Sequence, residues 1–174
     1  MSNSSILEMA TKAIDGKNLK IVFPEGTDKR ILEAAIKHKE EGLIHPIVLG
    51  DKGQIQKVAD ENGLHLGDLE IVDPQYDENF NFLVEKFVEA RKGKATTMDA
   101  EYMLKKDNNY YGVMLVKAGL ADGMVSGAIG TTGDTIRPAL QLIKTKPGVS
   151  RVSGIMVMIG PNGCLLYTSD AADE

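Results

Sequence analysis

The sequence predicts an α/β protein: a parallel-sheet αβα sandwich forms a first domain over residues 1–150, and residues 151–166 open a second α/β domain. Two observations carry this. Short apolar runs alternate with helically spaced apolar stripes from the N-terminus onward, as strand–helix–strand units of a parallel sheet require. From Val152 to Ile159 the pattern changes to one long apolar run, and Pro161-Asn-Gly163 behind it reads as a hairpin turn into another strand.

Taken in order, Ile6, Met9, Ala10, Ala13 and Ile14 give a short helix, and Lys20 to Phe23 a first strand. Thr27 or Asp28 caps the next helix, in which Ile31, Leu32, Ala35 and Ile36 make one apolar stripe. Gly42 follows as the residue that lets a helix end in the left-handed conformation. Ile47 to Leu49 is the second strand, Gln54 to Asn62 a weaker helix ending at Gly63, and Glu70 to Val72 a third strand stopped by Pro74. Phe80, Leu83, Val84, Phe87 and Val88 line a strong helix that runs to about Arg91. Helices near Asp99 to Lys105 and Tyr110 to Ala118 lead to a strand over Gly123 to Val125. A last helix ends around Lys144, where Lys146-Pro-Gly148 breaks the chain. The run Ile155 to Ile159 is expected to seek strand partners outside this chain.

With 174 residues, 43% of them hydrophobic, the chain can bury one sizeable core and begin another. A formal net charge of -5 leaves no electrostatic footprint for nucleic acid or an anionic membrane, so basic residues act locally, in pockets. No apolar run approaches a membrane span, and Met1-Ser-Asn-Ser-Ser5 lacks the basic and apolar regions of a signal peptide. A cytoplasmic protein is expected. The single cysteine, Cys164, excludes an internal disulfide and a cysteine-pair zinc site. His38, His45 and His65 lie far apart, so no metal is expected.

The most informative stretch is Ala121-Asp-Gly-Met-Val-Ser-Gly-Ala-Ile-Gly-Thr-Thr-Gly-Asp-Thr-Ile-Arg-Pro-Ala-Leu140. It reads as the buried end of a strand, a Gly- and hydroxyl-rich turn, and a helix with arginine in its first turn. Asp134 is the expected N-cap, with Pro138 tolerated in the first turn because its missing N–H has no intrahelical partner there. Free amides and the positive end of the dipole suit phosphate or carboxylate, and Arg137 can add a bidentate fork. The bland alternative is a helix-capping turn with Arg137 solvated.

Ala121 to Gly154 closely resembles the central segment of phosphate acetyltransferases in the phosphate acetyl/butyryltransferase family. Phe23-Pro-Glu-Gly-Thr-Asp-Lys-Arg-Ile-Leu-Glu-Ala-Ala35 and Glu89-Ala-Arg-Lys-Gly-Lys94 resemble two further patches of it, so the likeness runs to about Met158. It implies acetyl transfer between acetyl phosphate and coenzyme A without metal or bound cofactor, coenzyme A being a substrate, and a homodimer when full length. Phosphate butyryltransferase and a non-catalytic acyl-coenzyme A-binding regulatory domain are the alternatives. Residues 167–174 depart from the family's continuation and read as a non-native tail, with the native product continuing further.

The resemblance makes Ser126, Thr131, Thr132, Arg137, Arg91 and Arg30 candidate substrate-binding residues. Many members carry histidine where this chain has Gly130. Arg91 ends its helix beside Lys92 and Lys94, where cations commonly offset the dipole; the resemblance assigns it to coenzyme A or substrate phosphate. Arg30 could face the same cleft or pair with Glu25 or Asp28. Cys164 has no histidine partner and reads as inert, and Asp134 as a cap and poor base. No residue reads as the catalytic base, which the resemblance places beyond Glu174.

Overall fold

The computed structural model describes residues 3–149, 152–159 and 165–171. They fall into two compact units, one of residues 17–143 and the other of residues 1–16 with 144–174.

The first unit is an α/β sandwich around a four-stranded parallel sheet of order β3-β2-β1-β4. The strands are β1 (Lys20–Phe23), β2 (His45–Leu49), β3 (Glu70–Val72) and β4 (Gly123–Met124). The helices are α2 (Lys29–Glu40), α3 (Lys52–Glu61), α4 (Phe80–Arg91), α5 (Thr97–Lys106), α6 (Asn108–Lys117) and α7 (Thr132–Leu142), numbered after α1 of the other unit. Alternate strand residues serve opposite faces, as the two-residue period of a strand demands. Val22, Ile47 and Leu49 join one core with α4, α5 and α6. Phe23 and Val48 join a second core with Leu32 and Ala35 of α2 and Ile55 of α3. Both faces of the sheet are thus covered, which is the layered fold that the alternating pattern predicts.

Helix α6 is the central one, with every residue from Tyr110 to Leu115 buried. Gly112 lets it lie against the sheet: a Cβ there would fall 2.7 Å from Met124 Sδ and 3.1 Å from Val22 Cγ1. β2 begins at His45, two residues earlier than the sequence suggests, and takes Pro46 into the strand. Pro46 pairs with Ile21 on the β1 side, whereas β3 starts only opposite Ile47. The His45 N–H is directed to Leu19 O on the β1 side and that of Gly50 to Val72 O on the β3 side. By the same alternation, the nitrogen of Pro46 faces a stretch where β3 has not begun, so its lack of a donor breaks no pairing.

Helix starts also differ from expectation. Asp51, Thr96, Asp107 and Thr131 are the N-caps of α3, α5, α6 and α7, each three residues ahead of the expected first helical residue or, for α7, of the expected cap.

In the other unit, α1 spans Asn3–Ile14, and β5 (Ser153–Ile159) pairs antiparallel with β6 (Leu165–Ala171). The register runs from Ser153 opposite Ala171 to Ile159 opposite Leu165. The apolar run Ile155–Ile159 therefore finds a partner strand within this chain, contrary to the expectation that it must look outside. β6 takes in the first residues of the expected tail. The expected turn Pro161-Asn-Gly163 and Cys164 lie outside the described residues.

Candidate functional site

The candidate residues Ser126, Arg30, Thr131 and Thr132 gather where β1 and β4 end. Neighbouring parallel strands both deliver their carboxyl ends here, the usual place for a ligand crevice in sheets of this class. Val125 donates its N–H to Val22 O at 2.9 Å, which sets the loop after β4 beside the turn Pro24-Glu25-Gly26 after β1. Helix α6 ties down both. Asn108 Nδ2 donates to Pro24 O at 3.0 Å, and Asn109 Oδ1 accepts from Ser126 Oγ at 2.6 Å.

The loop amides expected to face phosphate have a partner already. Glu25 Oε2 accepts from Gly127 and Ala128 at 3.0 and 2.8 Å, and Oε1 from Ile129 and Gly130 at 2.8 and 3.2 Å. Successive backbone amides converging on one anion form the concavity that binds phosphate elsewhere. Gly127 opens it at φ +110, a backbone angle that glycine adopts without a Cβ penalty. Burial pushes the Glu25 carboxyl up, but the amides of Ala128, Ile129, Gly130 and Gly127 outweigh it and hold it below the usual glutamate value.

Arg30 pairs with Asp28, not Glu25. Its Nε and Nη2 donate to Asp28 at 3.0 and 2.7 Å, and Nη2 also donates to Ala128 O at 2.9 Å. The Arg30 guanidinium lowers the Asp28 carboxyl to about 2. Arg30 thus braces the loop from outside while Glu25 holds it from within.

Helix α7 starts earlier than the sequence reading placed it. Thr131 is the N-cap and Asp134 the third helical residue of a capping box: Asp134 N donates to Thr131 Oγ1 at 3.2 Å, and Thr131 N donates back to Asp134 Oδ2 at 3.3 Å. Asp134 is therefore not the N-cap, and Pro138 lies in the helix interior, not the first turn. The Thr131 hydroxyl holds the Asp134 carboxyl below its ordinary value, so Asp134 remains a poor proton acceptor. Arg137 shifts with the frame to the second turn. Its guanidinium reaches back along the helix, with Nη2 3.6 Å from where a Cβ on Gly133 would sit. Thr132 is the exposed first residue of α7.

Arg91, the last residue of α4, is followed by Lys92 in the left-handed conformation at φ 49. Arg91 and Arg137, on different helices, act on one buried phenol. Burial and Asp107 raise the Tyr110 hydroxyl, and the two arginines offset part of that rise. Tyr110 itself donates to Gln141 Oε1 on α7 at 3.0 Å. Among the described residues neither guanidinium is engaged in an ion pair or hydrogen bond, whereas Arg30 spends its Nε and Nη2 on Asp28 and Ala128 O. Two planar cations without an ion pair suit a phosphate-bearing ligand, although the Arg137 charge also helps to lower the Asp134 carboxyl.

Glu25, Asn109 and Tyr110 were not among the sequence candidates. A carboxylate fixed by Pro-Glu-Gly at a strand end, with a glycine-rich loop elsewhere, was the available signal for Glu25. Among the described residues no group of three or more His, Cys, Asp or Glu is placed to hold a metal, and no helix is long and apolar enough to cross a membrane.

Residues 3–172 match the family model described as Phosphate acetyl/butaryl transferase. Phosphate acetyltransferase of Staphylococcus aureus (strain Mu50 / ATCC 700699) is 50% identical over 156 residues, covering 90% of this chain and 47% of that protein. The Staphylococcus epidermidis (strain ATCC 12228 / FDA PCI 1200) phosphate acetyltransferase is 51% identical over 157 residues, with the same coverage. Among solved structures, EutD phosphotransacetylase from Staphylococcus aureus superposes with a TM-score of 0.86 at 44% identity, covering 94% of this chain and 49% of that one. A phosphotransacetylase from Streptococcus pyogenes gives 0.83 at 52% identity, covering 90% and 47%. The chain spans about half the length of the relatives it matches.

Proposed function

Because the chain belongs to the phosphate acetyl/butyryl transferase family, we propose that it serves acetyl transfer between acetyl phosphate and coenzyme A. The observation that supports this most is that Arg91 at the end of α4 and Arg137 in the second turn of α7 make no ion pair or hydrogen bond among the described residues, while the charge of each favours the ionised form of the Tyr110 hydroxyl on α6. In the reaction the coenzyme A thiolate attacks the acetyl carbonyl, a C–S bond forms, and the C–O bond to phosphate breaks. Phosphate leaves with the bonding electron pair, and the thiol proton passes to a base. Planar cations fit the leaving group, whose charge rises as the bond breaks.

Ser126, Arg30, Thr131 and Thr132 border the same loop and complete the proposed substrate-binding set, with Thr131 also serving as a cap. The base is assigned to the part of the relatives that this chain does not span. Acetyl is preferred to butyryl because the relatives compared are named phosphate acetyltransferases. A cytoplasmic homodimer, with residues 1–150 as its first domain, completes the reading.

The test is thiol consumption with acetyl phosphate and coenzyme A, comparing this chain with a full-length enzyme that contains it. General acid–base help is worth about 10² to 10⁴-fold, so the full-length enzyme should turn over and the chain alone stay at background. Comparable turnover by the chain would put the base within residues 1–174. Ligand binding by a full-length protein without turnover would favour a non-catalytic acyl-coenzyme A-binding module.

A further inference from the structure

The loop after β4 builds an anion nest and the protein fills it with its own side chain. Both oxygens of Glu25 are used and each takes two amides, so no N–H from Gly127 to Gly130 is left for a ligand. We propose that Glu25 is a positioning residue for the transfer site: it closes the Gly127–Gly130 nest to phosphate and braces the loop that carries Ser126 and leads into α7. Phosphate recognition is then left to Arg91 and Arg137. The inference rests on the acyl-phosphate reading above for its consequence, but its geometry stands apart from it.

Glu25 is better suited to closing the nest than any free anion. It is tethered to the end of β1, so it competes at the effective concentration of an intramolecular group, and phosphate from solution must displace it. The tether is short and stiff on both sides. Pro24 O accepts from Asn108, and Gly26 is packed so closely that a Cβ would meet Val48 Cγ1 at 2.5 Å. The receiving loop is held independently: Ser126 Oγ bonds Asn109, and Ala128 O accepts from Arg30, itself locked to Asp28. Each neighbour of the nest thus has its own anchor, and the carboxylate closes a frame joining the loops after β1 and β4. A neutral amide in its place would turn an NH₂ group toward two of the four donors, so charge and geometry are both required.

The test follows the backbone amide resonances of residues 127–130 in the 174-residue chain. In the wild-type chain these four amides should titrate together as pH falls, with a midpoint below that of an ordinary glutamate, and the common titration should vanish in Glu25→Gln. Amides that titrate separately, or identically in that variant, overturn the clamp. This arm needs neither phosphate nor a folded variant beyond the control. Inorganic phosphate at neutral pH should leave the four amides of the wild type unmoved, but shift them in Glu25→Ala, where the nest is emptied. Equal phosphate shifts in both proteins would show that the nest is a phosphate site and Glu25 a displaceable occupant. In the full-length enzyme, Glu25→Gln should lower the melting temperature modestly and, at a temperature where the variant is still fully folded, lose at least tenfold in kcat/KM, and Glu25→Asp should recover part of the loss. A lowered melting temperature with unchanged kcat/KM would reduce Glu25 to a fold residue. Failure of the acyl-phosphate reading would appear instead as no acetyl transfer by wild-type full-length enzyme, with the amide titration intact.

Discussion

Gly26→Ala should be among the most damaging single-methyl additions in the first unit. The new Cβ would lie 2.5 Å from Val48 Cγ1, 2.6 Å from the Leu49 carbonyl oxygen and 2.9 Å from Ile55 Cδ1. Carbon contacts are comfortable at about 3.5 to 4.0 Å, so roughly an ångström must open on three sides. Val48 and Ile55 are fully buried, and the Leu49 oxygen is backbone that accepts the Gly26 N–H at 3.3 Å. None can swing aside cheaply. Overpacking of a tight core costs about 1–3 kcal/mol, and a clash with backbone belongs at the upper end. At about 2–4 °C per kcal/mol for a chain of this size, a 3 kcal/mol loss lowers the melting temperature by roughly 6–12 °C. The comparison is Gly42→Ala, where nothing lies within 4 Å and the only penalty is φ +65, worth about 1–2 kcal/mol. Urea unfolding followed by circular dichroism ranks the two. If Gly26→Ala costs no more than Gly42→Ala, the close approach of the Pro24-Glu25-Gly26 turn to β2 is wrong, and the placement of Glu25 falls with it.

Thr131→Ala removes the hydroxyl of the α7 capping box and should cost about 1 kcal/mol of stability while changing phosphate affinity less than Arg137→Ala does. Lost phosphate binding at unchanged stability would move Thr131 from cap to ligand. The acid limb of stability should depend on Glu25 and Asp28. Both carboxyls are held below their ordinary values of 4.5 and 3.8, Asp28 at about 2, so the unfolded chain binds more protons than the folded one as pH falls. Their contribution is complete above 4.5 and 3.8 respectively, and is lost as pH drops through the lowered values. Unfolding free energies taken from neutral pH into that window should fall less steeply in Glu25→Gln with Asp28→Asn than in wild type; an identical slope would show that these carboxyls do not govern the limb.

Strands were legible where β-branched and apolar runs were short and bounded, as at Lys20–Phe23 and Glu70–Val72, which the structure reproduces residue for residue. Helix starts were read late because their first turns are polar and carry no apolar period. Thr96 and Thr131 each precede an aspartate by three residues, and in both cases that aspartate is the third helical residue, returning the cap's hydrogen bond. Reading Asp134 as the cap displaced Arg137 and Pro138 by one turn. Pro46 hid the start of β2, since whether a proline fits a strand depends on which neighbour its nitrogen faces, and pairing partners are not local. The candidate site was legible as residue types, not as partners. The glycine-rich loop does form an anion nest, but its occupant comes from 102 to 105 residues away in the chain. No local pattern distinguishes a nest awaiting phosphate from one already filled. That the charges of Arg91 and Arg137 both reach Tyr110 is likewise set by how α4, α6 and α7 pack.

In the proposed site Arg91 and Arg137 grip one anion together. Calorimetric titration of inorganic phosphate into the wild-type chain, Arg91→Ala, Arg137→Ala and the double variant tests it most directly. A hydrogen bond to a charged group contributes about 1.5–3 kcal/mol, so each single variant should lose roughly ten- to a hundredfold in affinity. Groups sharing a ligand couple by about 0.5–3 kcal/mol, so the double variant should lose clearly less than the product of the two single losses. Single losses that simply multiply, or an affinity unchanged by either substitution, would contradict a shared phosphate site.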